Sequence, residues 1–151
     1  MTTVISIPEQ KIIVSDSLVT TYGSLTQYRS DKLYRAGGSC FGESGDVEAG
    51  LRFRRWAQDG MPKKDRPKFT GFNEDMFYVL ELAKDGLWLW DATMVRQKIM
   101  DPIYAIGSGA RIAMYCVSVL KMSAEDSILE AAKIDIHTSG PVQILKLSDK
   151  E

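Results

Sequence analysis

The sequence predicts a layered α+β sandwich, two antiparallel sheets that each need helical cover on one face. Three observations predict it. Short β-rich runs begin near the N-terminus, helical patterns come in blocks instead of alternating with single strands, and an Asp-Gly hairpin signal sits in mid-chain.

Taken in order, Val4 to Ile7 and Lys11 to Val14 are β-rich and flank Pro8-Glu9-Gln10, which reads as the turn of a hairpin. A polar stretch runs from Asp16 to Asp31. Lys32 to Ala36 then alternates polar and apolar residues, and Gly37 to Gly42 holds three glycines, a density that signals close backbone approach. From Glu43 to Trp56, Ala49, Phe53, Trp56 and Ala57 recur at helical spacing, with Val47 and Leu51 on a neighbouring stripe. Gly60 to Phe72, with Pro62, Pro67, Gly71 and four basic residues, reads as an exposed, solvated loop. Met76 to Leu82 and Leu87 to Asp91 flank Asp85-Gly86, and Met94 to Lys98 offers a third strand. Ile103 to Gly107 leads into a helix with Ile112, Ala113, Cys116, Val117 and Leu120 on one face. A second helix starts at Ser123, where Ser-Ala-Glu-Asp resembles a capping box, and Pro141 to Leu147 closes as a strand.

The 151 residues, 44% hydrophobic and 26% charged, suit one domain over residues 1–151 with a core large enough to need no disulfide or structural metal. With 19 basic against 20 acidic side chains, no global field attracts phosphate backbones or anionic membranes, so neither nucleic acid nor membrane is an expected partner. Two cysteines outside any metal spacing, no run of 18 apolar residues and no basic signal-peptide start suggest a cytoplasmic protein.

Familiar catalytic constellations are thinly represented. His137 is the single histidine and no GxSxG elbow accompanies it, so a packed or surface role is its simpler reading. Cys116 falls on the apolar stripe of its helix, and Cys40 among glycines also reads as a buried small residue. No cluster has metal-ligand spacing, and Gly107-Ser108-Gly109-Ala110 lacks both the Walker lysine and a full GxGxxG. No cofactor is expected. The chain start offers something else. Initiator methionine is generally removed before a residue as small as Thr2, leaving a hydroxyl beside a free α-amine. Such an amine, with an ordinary pKa of about 7.7–8.0, can serve as general base to its own hydroxyl.

Thr2-Thr3-Val4-Ile5-Ser6-Ile7, Ser15-Asp16-Ser17, Asp31-Lys32-Leu33-Tyr34, Gly42 followed by Asp46, Tyr104-Ala105-Ile106-Gly107-Ser108-Gly109, and Asp135 with Thr138-Ser139-Gly140 occur in one order over nearly the whole chain. In that order they resemble the HslV peptidase and proteasome β subunits of the N-terminal nucleophile (Ntn) hydrolases. The resemblance implies a four-layer αββα sandwich and a threonine peptidase that cleaves peptide bonds. It makes Thr2 the nucleophile after loss of Met1, Lys32 the buried cation that lowers the pKa of amine and hydroxyl, and Asp16 the carboxylate orienting that lysine. Gly42 falls at the oxyanion-hole glycine, Ser108 at the serine near the threonine amine, and Asp135 with Thr138 at the pair that holds it. Serines 15 and 17 stand where the family has glycines, Glu43 replaces the second glycine of the oxyanion segment, and Thr138 replaces a serine. The resemblance also implies a homo-oligomeric ring, hexameric or heptameric and possibly stacked, an ATPase unfoldase partner and polypeptide substrates. Two other readings fit the same residues: a non-catalytic, ring-forming scaffold or inhibitor that retains Met1, and an Ntn hydrolase acting on a small amide.

Overall fold

A computed structural model describes residues 2–20, 27–69 and 77–148. In chain order the elements are β1 (Thr3–Ile7), β2 (Ile12–Ser15), β3 (Leu18–Thr20), β4 (Gln27–Arg29), β5 (Leu33–Ala36), β6 (Ser39–Gly45), α1 (Val47–Gln58), β7 (Phe77–Ala83), β8 (Gly86–Asp91), β9 (Gln97–Ile99), β10 (Tyr104–Gly107), α2 (Ala110–Ser118), α3 (Ala124–Ile134) and β11 (Gln143–Lys146). One sheet has the order β10-β1-β2-β11, the other β5-β6-β7-β8-β9, and β3 pairs with β4 in a separate ribbon; every pairing is antiparallel.

Strand alternation sorts β1 between two layers. Ile5 and Ile7 pack outward with Ala105, Ala110, Ala113 and Ile128 beneath α2 and α3, whereas Val4 joins Ile13, Leu33, Leu80, Leu82 and Ile106 between the sheets. On the far side, α1 lays Ala49, Phe53, Trp56 and Ala57 over Tyr34, Phe41, Phe77, Val79 and Trp90 of the larger sheet. The result is the αββα sandwich, with both cysteines buried, Cys40 between the sheets and Cys116 on the buried face of α2. Phe53 lies 5.2 to 6.3 Å from the rings of Phe41, Trp56, Phe77 and Trp90. Burying one such aromatic contributes about 2–3 kcal/mol.

The N-terminal hairpin turns through a single 3-10 turn, Pro8–Gln10, and β7-β8 turns at Asp85-Gly86 as the dipeptide predicts. Ser123 caps α3 by accepting the Asp126 N–H at 3.1 Å. Several boundaries differ from the sequence reading. The stretch after Asp16, read as polar, holds β3 and β4: Leu18 and Val19 of β3 are both buried and all three residues of β4 are exposed, so neither strand shows the one-sided alternation that marks a strand in sequence. Glycine-rich residues 39–45 form β6, and α1 starts at Val47 because Asp46 accepts the Ala49 N–H at 2.8 Å and caps it. Val47 and Leu51 are consequently exposed on α1, and Leu120 lies beyond the end of α2, also exposed. Met94 sits in a turn before β9 with φ of 60°, so the third strand is Gln97–Ile99. Met1, Met76 and residues 70–72 of the expected loop lie outside the described residues.

Candidate active site

The site forms where the first residues of β1 cross the open end of β5. Residues 2 and 4 share the face toward the other sheet, so the Thr2 side chain points at Lys32, which directly precedes β5. Lys32 Nζ donates to Thr2 Oγ1 at 2.6 Å, to Asp16 Oδ1 at 2.9 Å and to the Leu18 carbonyl. Those are three acceptors for the three protons of an ammonium. Thr2, Lys32 and Asp16 are 5%, 4% and 0% exposed. Burial lowers the Lys32 pKa from its ordinary value, and the facing Asp16 carboxylate works against that fall.

Asp16 is held from four directions. Besides Lys32, its Oδ1 accepts the Thr3 N–H at 3.0 Å, and its Oδ2 accepts the Leu18 and Ser139 N–H groups at 3.2 and 3.0 Å. A carboxylate fixed this way orients the lysine instead of roaming toward solvent.

A second cluster lies on the helical side of the same strand. Asp135, the C-cap of α3, accepts from Ser108 Oγ at 2.5 Å and Thr138 Oγ1 at 2.6 Å on one oxygen, and from the His137 N–H at 3.1 Å on the other. Burial opposes its ionisation, but the hydrogen bonds from Ser108 and Thr138 outweigh it and hold the carboxyl below the ordinary Asp range. Because the single Thr138 proton goes to Asp135, the 2.7 Å contact between the Thr3 and Thr138 hydroxyls requires Thr3 to be the donor. Thr3 thus joins both clusters, through its N–H to Asp16 and its hydroxyl to Thr138.

Six of the seven residues singled out from the sequence fall in these two linked clusters; Gly42 does not. A side chain there would meet Val4, Leu33 and Ile13 within 3.2 Å, so Gly42 faces the packed space between the sheets. The Glu43 N–H bonds the Lys32 carbonyl at 3.2 Å, and the alternation of an antiparallel ladder turns the Gly42 N–H the other way, toward β7. Gly45 shares the phase of Glu43 and, with Thr2 and Lys32, lines the cavity. The sequence signal for it is a glycine immediately before the Asp46 cap. Leu18, Thr3 and Ser139 act through backbone atoms or a second hydroxyl, so side-chain chemistry gave them no role in the sequence, although Thr3 and Ser139 fall within matched segments. His137, half-buried, joins the second cluster only through its backbone N–H; its imidazole makes a 3.3 Å contact with Thr20 and touches neither carboxylate.

Gly107 determines where the chain start can lie. It pairs with Thr3 at φ of +99°, and a Cβ there would sit 1.7 Å from the Thr2 carbonyl oxygen. Gly107→Ala is expected to lower Tm by roughly 10 °C. Gly37→Ala, also at positive φ but in open space, should cost only about 1 kcal/mol. Thermal melts of the two variants decide whether steric exclusion of Thr2 is the cause.

Among the described residues no group of three or more His, Cys, Asp and Glu could hold a metal, and no helix is long and apolar enough to cross a membrane. No family sequence profile and no curated protein sequence matches the chain. Solved structures do. Thiobacillus denitrificans BPH in complex with epoxomicin aligns with a TM-score of 0.69 at 19% identity, over 97% of this chain and 100% of that one. Another structure of Thiobacillus denitrificans BPH aligns at 0.61 and 18% identity over 99% of each chain. The eukaryotic HslV from Trypanosoma brucei aligns at 0.62 and 17% identity, over 95% of this chain and 99% of that one. The chain therefore has the HslV-like Ntn-hydrolase fold across nearly its whole length.

Proposed function

We propose that the protein is a threonine peptidase of the proteasome type, active once Met1 has been removed. The observation that carries this reading is the 2.6 Å hydrogen bond from a fully engaged, buried lysine ammonium to the hydroxyl of the second residue. Freed of Met1, Thr2 presents an α-amine that takes the hydroxyl proton, while Lys32 stabilises the oxygen as negative charge builds. Oγ1 attacks the scissile carbonyl, the oxyanion is received by the Gly45 N–H, and the proton passes to the departing amine as the C–N bond breaks. Water then hydrolyses the ester and returns the proton to the threonine. Ser108, Asp135 and Thr138 hold the segment carrying that amine.

The same reading includes a cytoplasmic homo-oligomeric ring served by an ATPase unfoldase. Exposed Tyr115, Val119, Leu129, Ile134 and Ile136 on and after α2 and α3 supply apolar surface for subunit contacts.

Intact mass spectrometry provides the test. The purified protein should lack the mass of Met1 and gain the mass of epoxomicin, the compound bound in the similar structure. Retention of Met1 with no adduct would favour the non-catalytic scaffold reading.

A further inference from the structure

Beside Thr2 opens a cavity of about 130 Å³, walled by Val19, Thr20 and Tyr28 on one side and by Val47 and Leu51 of α1 on the other. Its charged lining consists of Asp31, Lys32, Glu43 and Asp46, three carboxyl groups against one ammonium. The ammonium is already engaged by Thr2, Asp16 and Leu18. Asp46 is engaged as the cap of α1, and Asp31, exposed at the rim, accepts the Leu33 N–H at 3.4 Å.

Glu43 is placed differently. Its carboxyl carbon presses against Gly50 of α1, 3.1 Å from where a side chain would begin, and its Oε2 is buried without a hydrogen-bond partner. Tyr34, 4% exposed, lies on the same face of the sheet, opposite Phe41, and its hydroxyl is also buried and unpartnered. The cation nearest to serving them is Arg54 of α1, but its guanidinium donates to the Asp31 carbonyl at 3.1 Å and stacks 4.6 Å above the Tyr34 ring. A buried carboxylate oxygen without a donor is costly, and a cation arriving with its own N–H groups removes that cost.

We infer that this cavity is the specificity pocket of the enzyme and selects a basic side chain, lysine or arginine, on the acyl side of the scissile bond, with Glu43 as its counter-charge. Placing the scissile bond at Thr2 rests on the peptidase reading; the pocket's preference for a cation does not. The charge of the pocket is graded by pH. Burial lifts the Glu43 pKa to about 7, against the opposing pull of Arg54 and Lys32 and with the help of Asp31. Selectivity for a basic residue therefore grows as pH rises through about 7, where the carboxyl ionises.

The experiment has two arms. Fluorogenic peptides differing only in arginine or leucine at the cleaved position are compared on wild type and Glu43→Gln, and n-propylguanidine, the arginine side chain alone, is titrated into both by NMR. The expected results are an arginine-to-leucine ratio of kcat/KM that falls ~10-fold or more in the variant, and guanidine binding weakened by a similar factor. Thermal melts at pH 8 check that the variant folds. Glu43-dependent guanidine binding with no peptide cleaved would sustain the pocket and sink the peptidase reading. Cleavage with an unchanged ratio, or guanidine binding indifferent to the substitution, would overturn the pocket and leave the peptidase standing.

Discussion

Thr2→Ala is expected to lower peptide turnover by roughly a thousand-fold or more, because the variant keeps the pocket and the oxyanion donor but has no oxygen to form the acyl-enzyme. Its thermal stability should stay close to wild type. The methyl side chain keeps the register Thr3↔Gly107 and loses only one acceptor for Lys32, which retains Asp16 and the Leu18 carbonyl. Thr2→Ser supplies the discriminating control, since it restores the hydroxyl at the same place and should recover most of the activity. Kinetics and melts on the three proteins would refute the assignment if Thr2→Ala turned over substrate like wild type.

Lys32→Met should cost both activity and stability. The substitution removes the cation that in the proposed mechanism steadies the developing alkoxide, an electrostatic effect of about 100- to 1,000-fold in comparable sites. It also strands Asp16, fully buried, without its charge partner, and breaking such a pair costs about 3–5 kcal/mol. The pH dependence has a definite sign. The folded pKa of Lys32 is lowered, so between that value and 10.5 the unfolded chain binds more protons than the native one, and stability rises with pH through this window. The variant lacks this rise, and the stability gap between wild type and variant should therefore widen as pH climbs through that window toward 10.5. Denaturant titrations at a series of pH values measure it; a gap that narrowed would contradict the buried, proton-shedding lysine.

Much of the sandwich was legible because its elements carry strong local signals. The Asp85-Gly86 turn, the apolar face of α2 and the Ser123 cap each specify local geometry through a few neighbouring residues. The β3-β4 ribbon escaped because neither strand alternates: Leu18 and Val19 of β3 are both buried, and Gln27, Tyr28 and Arg29 of β4 are all exposed. The site is a different case. Thr2, Asp16, Lys32, Ser108 and the Asp135–Thr138 pair lie far apart in the chain, and no spacing rule unites them; their order, matched to a known family, did. The resemblance put the oxyanion-hole glycine at Gly42, which faces Val4, Leu33 and Ile13 between the sheets, and strand β6 has a glycine at both 42 and 45. Without a Cβ neither shows which face it takes, and only pairing with Lys32 and Leu80 settles the phase.

Under the proposed peptidase function, the opposite headings of the first two threonine side chains would constrain maturation. An aminopeptidase that overshot by a single residue would expose another threonine, chemically equivalent at the bench. That new terminus would aim its hydroxyl at Thr138 beneath the helices, away from the lysine. Competence would then depend on cutting at one particular bond, with the parity of a β-strand as the proofreading ruler.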